Sequence, residues 1–301
     1  MKGLRFIALF VVILSFLAEQ GWAVDGEVLI SQTTAEAGRV TPDDTAGFPV
    51  TISLPGSYKL SSNLNIPAGK IGILIATNNV TLDLNGFRII GISSSGTETA
   101  ISDNNQIRQN ITVRNGSIVT IRTGINLAAS RQCVIEGMRL NQIGDVAITV
   151  GDYSTVVDNS INQVTGFAQA GGIGISGKQG QKIRGNTISQ VLSPNGSFKP
   201  SGIKVLHNSL VENNTVMLSG MGISTGLNSI VSSNTSSRNY IGIQTDSSST
   251  VSDNTASQND FIGISVKCPA SIIGNTAATN ASLNFAVYGS KCNSFNNTPT
   301  P

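Results

Sequence analysis

Five side chains that could perform acid–base or anion-binding chemistry occur between positions 152 and 207 of this 301-residue chain. They are Asp152, Tyr153, Lys178, Lys204 and His207. His207 is the only histidine, and histidine is the side chain that changes charge most readily near neutral pH. Together these candidate catalytic residues could bind an acidic sugar and abstract a proton from it. The same positions are also explained as solvated turn residues at coincidental spacing, and the sequence leaves both interpretations open.

These candidates must be positioned by a repeat that recurs along most of the chain. Between residues 202 and 276, four units open with Gly-Ile and close on Asn214, Asn234, Asn254 and Asn275, at steps of 20, 20 and 21 residues. Apolar and polar residues alternate within each unit with a period of two, which indicates half-buried β-strands. A fixed period of this length, built from short strands, predicts a solenoid.

The repeat extends over residues 71–301, where Gly-Ile or an equivalent pair occurs ten times. We therefore predict an all-β fold, a right-handed parallel β-helix of about ten coils. The closing Asn is replaced once, by Gly137, and Asn and Gly enter the left-handed backbone region at the lowest cost. Each closing Asn is thus predicted to form a left-handed bend, and the stacked Asn side chains are predicted to form an amide ladder.

Equivalent residues of stacked coils should form inward-pointing ladders about 4.8 Å apart. One predicted ladder contains Ile173, Ile203, Ile223, Ile243 and Ile264. Another, two residues after the bend, changes from Ile and Val to Ser and Ala towards the C-terminus. The interior is therefore predicted to narrow in that direction.

Two neighbouring units are longer than the rest, at 27 residues from Asn159 to Asn186 and 28 residues from Asn186 to Asn214. The additional residues lie at about 163–171 and 190–201. Two loops should therefore project on the same side of the Gly-Ile strand. The predicted ligand-binding residues on these loops are Phe167, Phe198 and Lys199.

Residues 1–23 have the pattern of a secretory signal peptide, with a basic start, an apolar stretch at residues 6–18 and small residues before a cleavage site after Ala23. The apolar stretch is too short to span a bilayer comfortably. We therefore expect a secreted location, whether extracellular, periplasmic or at the cell surface, and no membrane span after cleavage. Residues 24–70 are predicted to form an N-terminal cap and entry strands, with a hairpin-like turn at Pro55-Gly56.

Charge excludes some classes of partner. Charged residues make up 12% of the chain, against about 25% in an average domain, and the net charge is +2. This balance favours neither a nucleic acid nor a membrane surface as partner. We expect a monomer.

The three cysteines divide into a pair and a single residue. Cys268 and Cys292 occupy the same turn in the last two coils, offset by one residue. Adjacent coils are about 4.8 Å apart, within the range that a disulfide needs, so this pair is predicted to be bonded. Cys133 has no evident partner and is predicted to be a free thiol.

The segments PGSYKLSSNLNIP, VTLDLNGFRI and NITVRNGSI, followed by tandem GI…V..NT units, resemble the bacterial parallel β-helix proteins of the pectin-lyase-like superfamily. More narrowly, they resemble secreted members whose repeats are called carbohydrate-binding and sugar-hydrolysis repeats. The resemblance covers residues 48–301. It is specific for the fold and weak for activity, since the fold carries lyases, hydrolases, epimerases and adhesins.

The resemblance also identifies where a calcium-dependent lyase would hold its metal. Pectate-lyase-like members use Asp and Glu on the outer face of the strand that corresponds to the Gly-Ile strand. The outward residues predicted on that strand are Leu74, Ser102, Asn126, Thr149, Gly174, Lys204, Ser224, Gln244, Ser265 and Tyr288. None of these is a carboxylate, so we expect no such lyase, no metal and no cofactor.

Three functions remain open from the sequence. The favoured one is a secreted, non-catalytic β-helix protein that binds a polysaccharide or cell-surface glycan or has a structural role. The alternative is a carbohydrate-active enzyme, a polysaccharide lyase or epimerase, that uses the cluster at residues 152–207 on an acidic polysaccharide. The third is an adhesin-like module that binds a protein partner.

Overall fold

The computed structural model describes residues 26–166, 171–194 and 200–300. It confirms the predicted all-β fold. Its secondary structure consists almost entirely of short strands that pair in parallel with the equivalent strands of the next coil. The proposed signal peptide, Phe167, Phe198 and Lys199 lie outside the described residues.

Each coil contributes strands to three faces. Within the described residues, the first face is a sheet of 11 strands. These strands are Val50–Ile52, Ile71–Ile75, Thr99–Ser102, Thr123–Leu127, Val146–Val150, Ile173–Gly177, Ser201–Val205, Met221–Thr225, Ile241–Thr245, Ile262–Lys267 and Leu283–Tyr288.

The second and third faces meet at the corner of the closing Asn. The second-face strands are Val28–Ile30, Gly56–Leu60, Val80–Asp83, Thr155–Val157, Lys182–Arg184, Leu210–Glu212, Ile230–Ser232, Ser249–Ser252, Ala270–Ile273 and Cys292–Phe295. The third-face strands are Leu64–Asn65, Arg88–Ile90, Ser160–Val164, Thr187–Val191, Thr215–Ser219, Thr235–Ser237, Thr255–Ser257, Thr276–Ala278 and Thr298–Thr300. Two long strands, Ile111–Ile121 and Val134–Ile143, run through both faces.

The core is a set of apolar ladders that fill the inside of the coils. Ile203, Ile223, Ile243 and Ile264 pair in register as predicted and are fully buried. The predicted member Ile173 is wrong, since Ile175 pairs with Ile203 in its place. The repeat Gly-Ile-Gly-Ile at residues 172–175 allows two alignments, and the structure uses the second.

This shift also corrects the predicted outward residues of the first face. Ser176 takes the position assigned to Gly174, since Thr149 pairs with Ser176 and Ser176 with Lys204. In the last coil Ala286, and not Tyr288, pairs with Ser265.

The interior narrows towards the C-terminus as predicted. Ile161 pairs with Ile188, and Ile188 with Val216. The next members of this ladder are Ser236, Ala256 and Ala277. Side-chain volume therefore falls along the third face from the middle of the chain to its end.

The amide ladder is present, but the predicted left-handed bend is one residue out of place. Asn234, buried at 1% exposure, donates from Nδ2 to Oδ1 of Asn254 at 3.0 Å, and its own Oδ1 accepts from Nδ2 of Asn214 at 3.0 Å. The left-handed residue is the exposed Ser233, at φ 56°. A buried Asn can bond along the axis only if the preceding residue makes the turn. In the early coils Asn85 and Asn115 are themselves left-handed, as predicted.

The entry segment does not form a hairpin at Pro55-Gly56. Val50–Ile52 pairs in parallel with the first-face strand Ile71–Ile75, and Gly56–Leu60 pairs in parallel with Val80–Asp83 on the second face. The turn therefore passes from one face to the next, as in the later coils. A short helix, Gln32–Ala37, precedes these strands, and its Ala35 is fully buried in the core. The role of residues 24–70 as a cap stays a prediction, as do the domain boundaries.

The last two coils are joined by a disulfide between Cys268 and Cys292, whose Cα atoms are 5.1 Å apart. Cys133 is a free thiol, buried beside Ser154. Burial raises the pKa of the Cys133 thiol to about 12, so this thiol should not react with reagents in the folded protein.

Thiol titration of the unreduced protein is expected to find one free cysteine in denaturant and none in the native state. The same titration after reduction should find all three. Three reactive thiols in the unreduced, unfolded protein would contradict the disulfide.

The short helix is the only one in the described part of the chain, and no helix there is long and apolar enough to cross a membrane.

Candidate functional site

The polar cluster predicted from the sequence lies on three stacked turns between the first and second faces. Tyr153 N donates to Gln179 O, and Gly180 N donates to His207 O, each at 3.0 Å. This stacking places Asp152, Gln179 and His207 in one column, with Gln179 between the acid and the histidine. Lys178 precedes Gln179 and is one position out of that column. The prediction that Asp152 and His207 lie two coils apart therefore agrees with the structure.

Several atoms of this cluster already have partners within the turns. His207 Nδ1 accepts a hydrogen bond from Leu227 N at 3.1 Å, which places the proton of the neutral ring on Nε2. Asp152 Oδ1 accepts from Gln179 N at 3.4 Å. The ring of Tyr153 lies over Gly180, where an added Cβ would be 2.5 Å from ring carbon Cδ1. These contacts are typical of residues that stabilise a turn, and they leave His207 Nε2 as the polar ring atom available to a ligand.

Lys204 lies on another surface, the outer side of the first face. Its neighbours in register are Ser176 on one side and Ser224 on the other. It is exposed, and the described residues show it in no ion pair. No carboxylate lies directly beside it in the sheet.

A concave site lies at the opposite corner, where the third face turns into the first. This site, called here the glutamine cleft, has a volume of about 410 Å³. Its principal lining residues are Ile92, Thr120, Gln142, Gln163, Gln190 and Leu192. Gln163 and Gln190 stand at the bases of the two long loops that the sequence predicted. The described bases of the loops therefore border a cleft, at a different corner from the turns that carry His207.

The floor of the glutamine cleft is a column of left-handed bend residues. Thr120, Gln142, Gln163 and Gln190 have φ between 53° and 57° and follow equivalent third-face residues in successive coils. A left-handed residue at the corner points its side chain away from the coil, so three amide groups line up at the spacing of the strands. Thr120 Oγ1 donates to Gln142 Oε1 at 2.9 Å, which holds the first of these amides.

Sequence reasoning missed this column, although a signal exists. The triplets Asn-Gln-Ile at 141–143, Asn-Gln-Val at 162–164 and Ser-Gln-Val at 189–191 repeat in register. The closing Asn at the preceding corner recurs along more of the chain, so it is the stronger periodic signal of the repeat.

One wall of the glutamine cleft is formed by residues 91–98, which connect the coil of Arg88–Ile90 to the first face. This segment lies directly against Gly144, where an added Cβ would be 1.6 Å from the carbonyl oxygen of Ser94. Only glycine allows the approach. The wall includes Ile92, which is 62% exposed. Leu192, at the base of the second long loop, is 50% exposed. The cleft therefore has an amide floor and an apolar residue on either side.

The site chemistry is neutral. Among the described residues that line the glutamine cleft, none is Asp, Glu, Lys, Arg or His. Across the described ranges, no group of three or more His, Cys, Asp or Glu residues could hold a metal ion.

Comparison with protein families assigns the fold class independently. Residues 123–298 match the family described as the right handed beta helix region, and the chain belongs to this family. This agrees with the resemblance to the pectin-lyase-like superfamily. A comparison with curated proteins finds no match.

Solved structures with the same fold include two carbohydrate-related proteins. One is a mutant tailspike protein of E. coli bacteriophage HK620 in complex with a hexasaccharide, with a TM-score of 0.56 and 12% identity. The match covers 83% of this chain and 53% of that one, so this chain spans about half the length of the tailspike. The other is the GH136 lacto-N-biosidase of Eubacterium ramulus, with a TM-score of 0.55, 11% identity and coverage of 98% and 71%. At these identities the likeness concerns the fold.

Proposed function

We propose that this protein is a secreted, non-catalytic β-helix that binds a neutral glycan in the glutamine cleft. The observation that carries the proposal is the column of Thr120, Gln142, Gln163 and Gln190 at the base of the two long loops. Both structural neighbours described above have carbohydrates as ligand or substrate by name, which supports a glycan as the ligand class.

Amide side chains suit neutral sugars because each offers two donors and one acceptor oxygen, as vicinal hydroxyl groups require. Successive amides follow the coil spacing, about 4.8 Å, so they can contact successive parts of an extended chain. The exposed side chains of Ile92 and Leu192 offer apolar surface for the C–H faces of the sugar rings. A cleft of about 410 Å³ lies within the usual range for small-ligand sites.

The described part of the cleft lining contains no acid or base, which favours binding over catalysis. Glycoside hydrolysis generally uses two carboxyl groups flanking the bond that is cleaved. The loop segments at 167–170 and 195–199 contain Phe167, Phe198 and Lys199 but no carboxylate. The lyase or epimerase alternative would have to use the turn cluster of Asp152 and His207, and an assay for unsaturated or epimerised products of acidic polysaccharides tests it.

Secretion as a monomer is part of the proposal. The secreted location is supported by the signal-peptide pattern of residues 1–23 and by the disulfide between Cys268 and Cys292, a bond typical of oxidising compartments.

The double substitution Gln163→Ala with Gln190→Ala is expected to weaken binding of a neutral oligosaccharide at least tenfold, the equivalent of about 1.4 kcal/mol of lost hydrogen bonding. A panel of cello-, malto-, manno- and chito-oligosaccharides, measured by calorimetry on the mature chain, would identify the ligand and the loss. Because no charged group lines the described cleft, affinity should not change between low and high salt.

The matched control is Gln244→Ala with Gln258→Ala, which removes two glutamines from coils remote from the cleft. It should leave binding and the melting temperature unchanged. Equal loss in both double variants, or no neutral ligand in the panel, would contradict the proposal.

A further inference from the structure

A second concave surface lies on the outer side of the third face, separated from the glutamine cleft by the bend column. It has a volume of about 460 Å³ and is called here the two-arginine groove. Its polar lining residues are Arg88, Ser117, Arg139, Asn141, Ser160 and Asn162, and the apolar Val119 and Leu140 also line it.

The strand register explains its shape. Arg88 pairs with Ser117, Ser117 with Arg139, and Arg139 with Ser160, so long basic and short polar side chains alternate along one outward column. The two arginines are two coils apart, about 10 Å at the usual strand spacing. Ser117 lies between them, and its short side chain leaves the space between the two arginines open.

The second column of the groove is an ordered row of polar side chains. Asn162 Nδ2 donates to Asn141 Oδ1 at 3.1 Å, and Ser189 Oγ donates to Asn162 Oδ1 at 2.8 Å. These bonds fix the orientation of both amides. The row therefore presents preorganised hydrogen-bonding groups beside the two guanidinium groups.

Both arginines lack the carboxylate partners that neighbouring arginines have. Arg114 pairs with Asp83 at 3.0 Å, and Arg122 pairs with Asp145 at 3.8 Å. Among the described residues, neither Arg88 nor Arg139 forms an ion pair, and no acid lines the groove. Two unpaired guanidinium groups facing one groove form a binding surface for two anionic groups, since the guanidinium fork matches a carboxylate.

We propose that the two-arginine groove binds a carboxylate-bearing polysaccharide, with Arg88 and Arg139 contacting acidic groups two coils apart and the Asn141–Asn162 row contacting hydroxyls between them. A nucleic acid fits the groove less well because none of the described lining residues is aromatic, and single strands are usually held by base stacking on aromatic rings. The chain therefore has two glycan surfaces of different charge preference on adjacent sides of one corner.

The test compares tetragalacturonate, as the acidic probe, with cellotetraose, as a neutral one, by calorimetry at low ionic strength. Arg88→Gln with Arg139→Gln should weaken binding of tetragalacturonate about tenfold or more, the effect of losing charge-assisted hydrogen bonds, and should leave cellotetraose binding unchanged. Binding of tetragalacturonate by the parent should weaken as salt is raised, because exposed charges are screened.

The matched control is Arg131→Gln with Arg184→Gln, two exposed arginines outside the groove whose loss changes the net charge equally. It should retain binding of tetragalacturonate, as should Gln163→Ala with Gln190→Ala. The proposal is overturned if the parent does not bind tetragalacturonate at low salt, if the control pair loses binding equally, or if a single-stranded oligonucleotide binds as tightly.

Discussion

Asn234→Gly is expected to lower the free energy of unfolding by about 3 to 5 kcal/mol, because it leaves several buried polar groups without partners. Asn234 Nδ2 donates to the carbonyl oxygens of Val211 at 2.9 Å and Ser232 at 3.0 Å, as well as to the next amide of the ladder. Its Oδ1 accepts from both the backbone and the side chain of Asn214. Glycine supplies none of these bonds. Urea unfolding of the mature chain measures the loss.

Ser233→Gly is the matched control one residue earlier. Ser233 has φ 56°, is exposed, and no hydrogen bond of its side chain supports the ladder. Glycine relieves the cost of a left-handed residue, so this variant should be as stable as the parent or slightly more stable. The opposite order, with Asn234→Gly tolerated and Ser233→Gly destabilising, would show that the left-handed bend, and not the amide bonding, determines the stability of this corner.

Gly144→Ala is expected to abolish the wall of the glutamine cleft and with it most of the glycan binding. The added Cβ would meet the backbone oxygen of Ser94 at 1.6 Å, and backbone cannot move aside as a flexible side chain can. Residues 91–98 must therefore shift outwards and carry Ile92 away from the amide floor. We expect hydrogen exchange of this segment to accelerate and affinity for the neutral ligand to fall at least tenfold, as for other lost preorganised contacts.

The control is Gly137→Ala, the same substitution in the same coil at the corner between the second and third faces. Its added Cβ would lie 3.5 Å from Asn115 Oδ1, an ordinary contact, but φ is +60°. It should cost about 1 kcal/mol of stability and leave the cleft unaffected. Unchanged exchange and affinity in Gly144→Ala would show that the segment does not form part of the binding site.

The fold was predictable because period and alternation together constrain a solenoid strongly. Stacked coils must place like residues over like, so the ladder of Ile203, Ile223 and Ile243 followed directly from the 20-residue step. The errors arose where the sequence offers two equivalent frames. Gly-Ile-Gly-Ile at 172–175 fits two registers, and an Asn at a corner fits both the left-handed position and the buried position beside it. The packing of side chains inside the coil decides between the two alternatives in each case. The sequence of one coil alone does not reveal that packing.

The candidate site was only partly predictable. The lengths of two repeats located the loops, and the structure places the bases of those loops at Gln163 and Gln190, beside a cleft. The same reasoning gave weight to His207 and Lys204 because ionisable groups stand out in a sequence. Neutral amides carry no such signal unless the strands around them are already aligned, as the structure aligns the strands of Gln142, Gln163 and Gln190. The groove between Arg88 and Arg139 was missed for a similar reason, since these residues are 51 positions apart in sequence.

The most direct test of the central claim is a ¹H–¹⁵N spectrum of the mature chain with and without the neutral oligosaccharide selected from the panel. We predict that the side-chain amide signals of Gln142, Gln163 and Gln190 shift on binding, because their NH₂ groups contact the sugar. The ring signals of His207, on the turns between the first and second faces, should stay unchanged. Shifts of His207 with unchanged glutamine amides would contradict a neutral-glycan site in the cleft and place the ligand on the ionisable turn cluster.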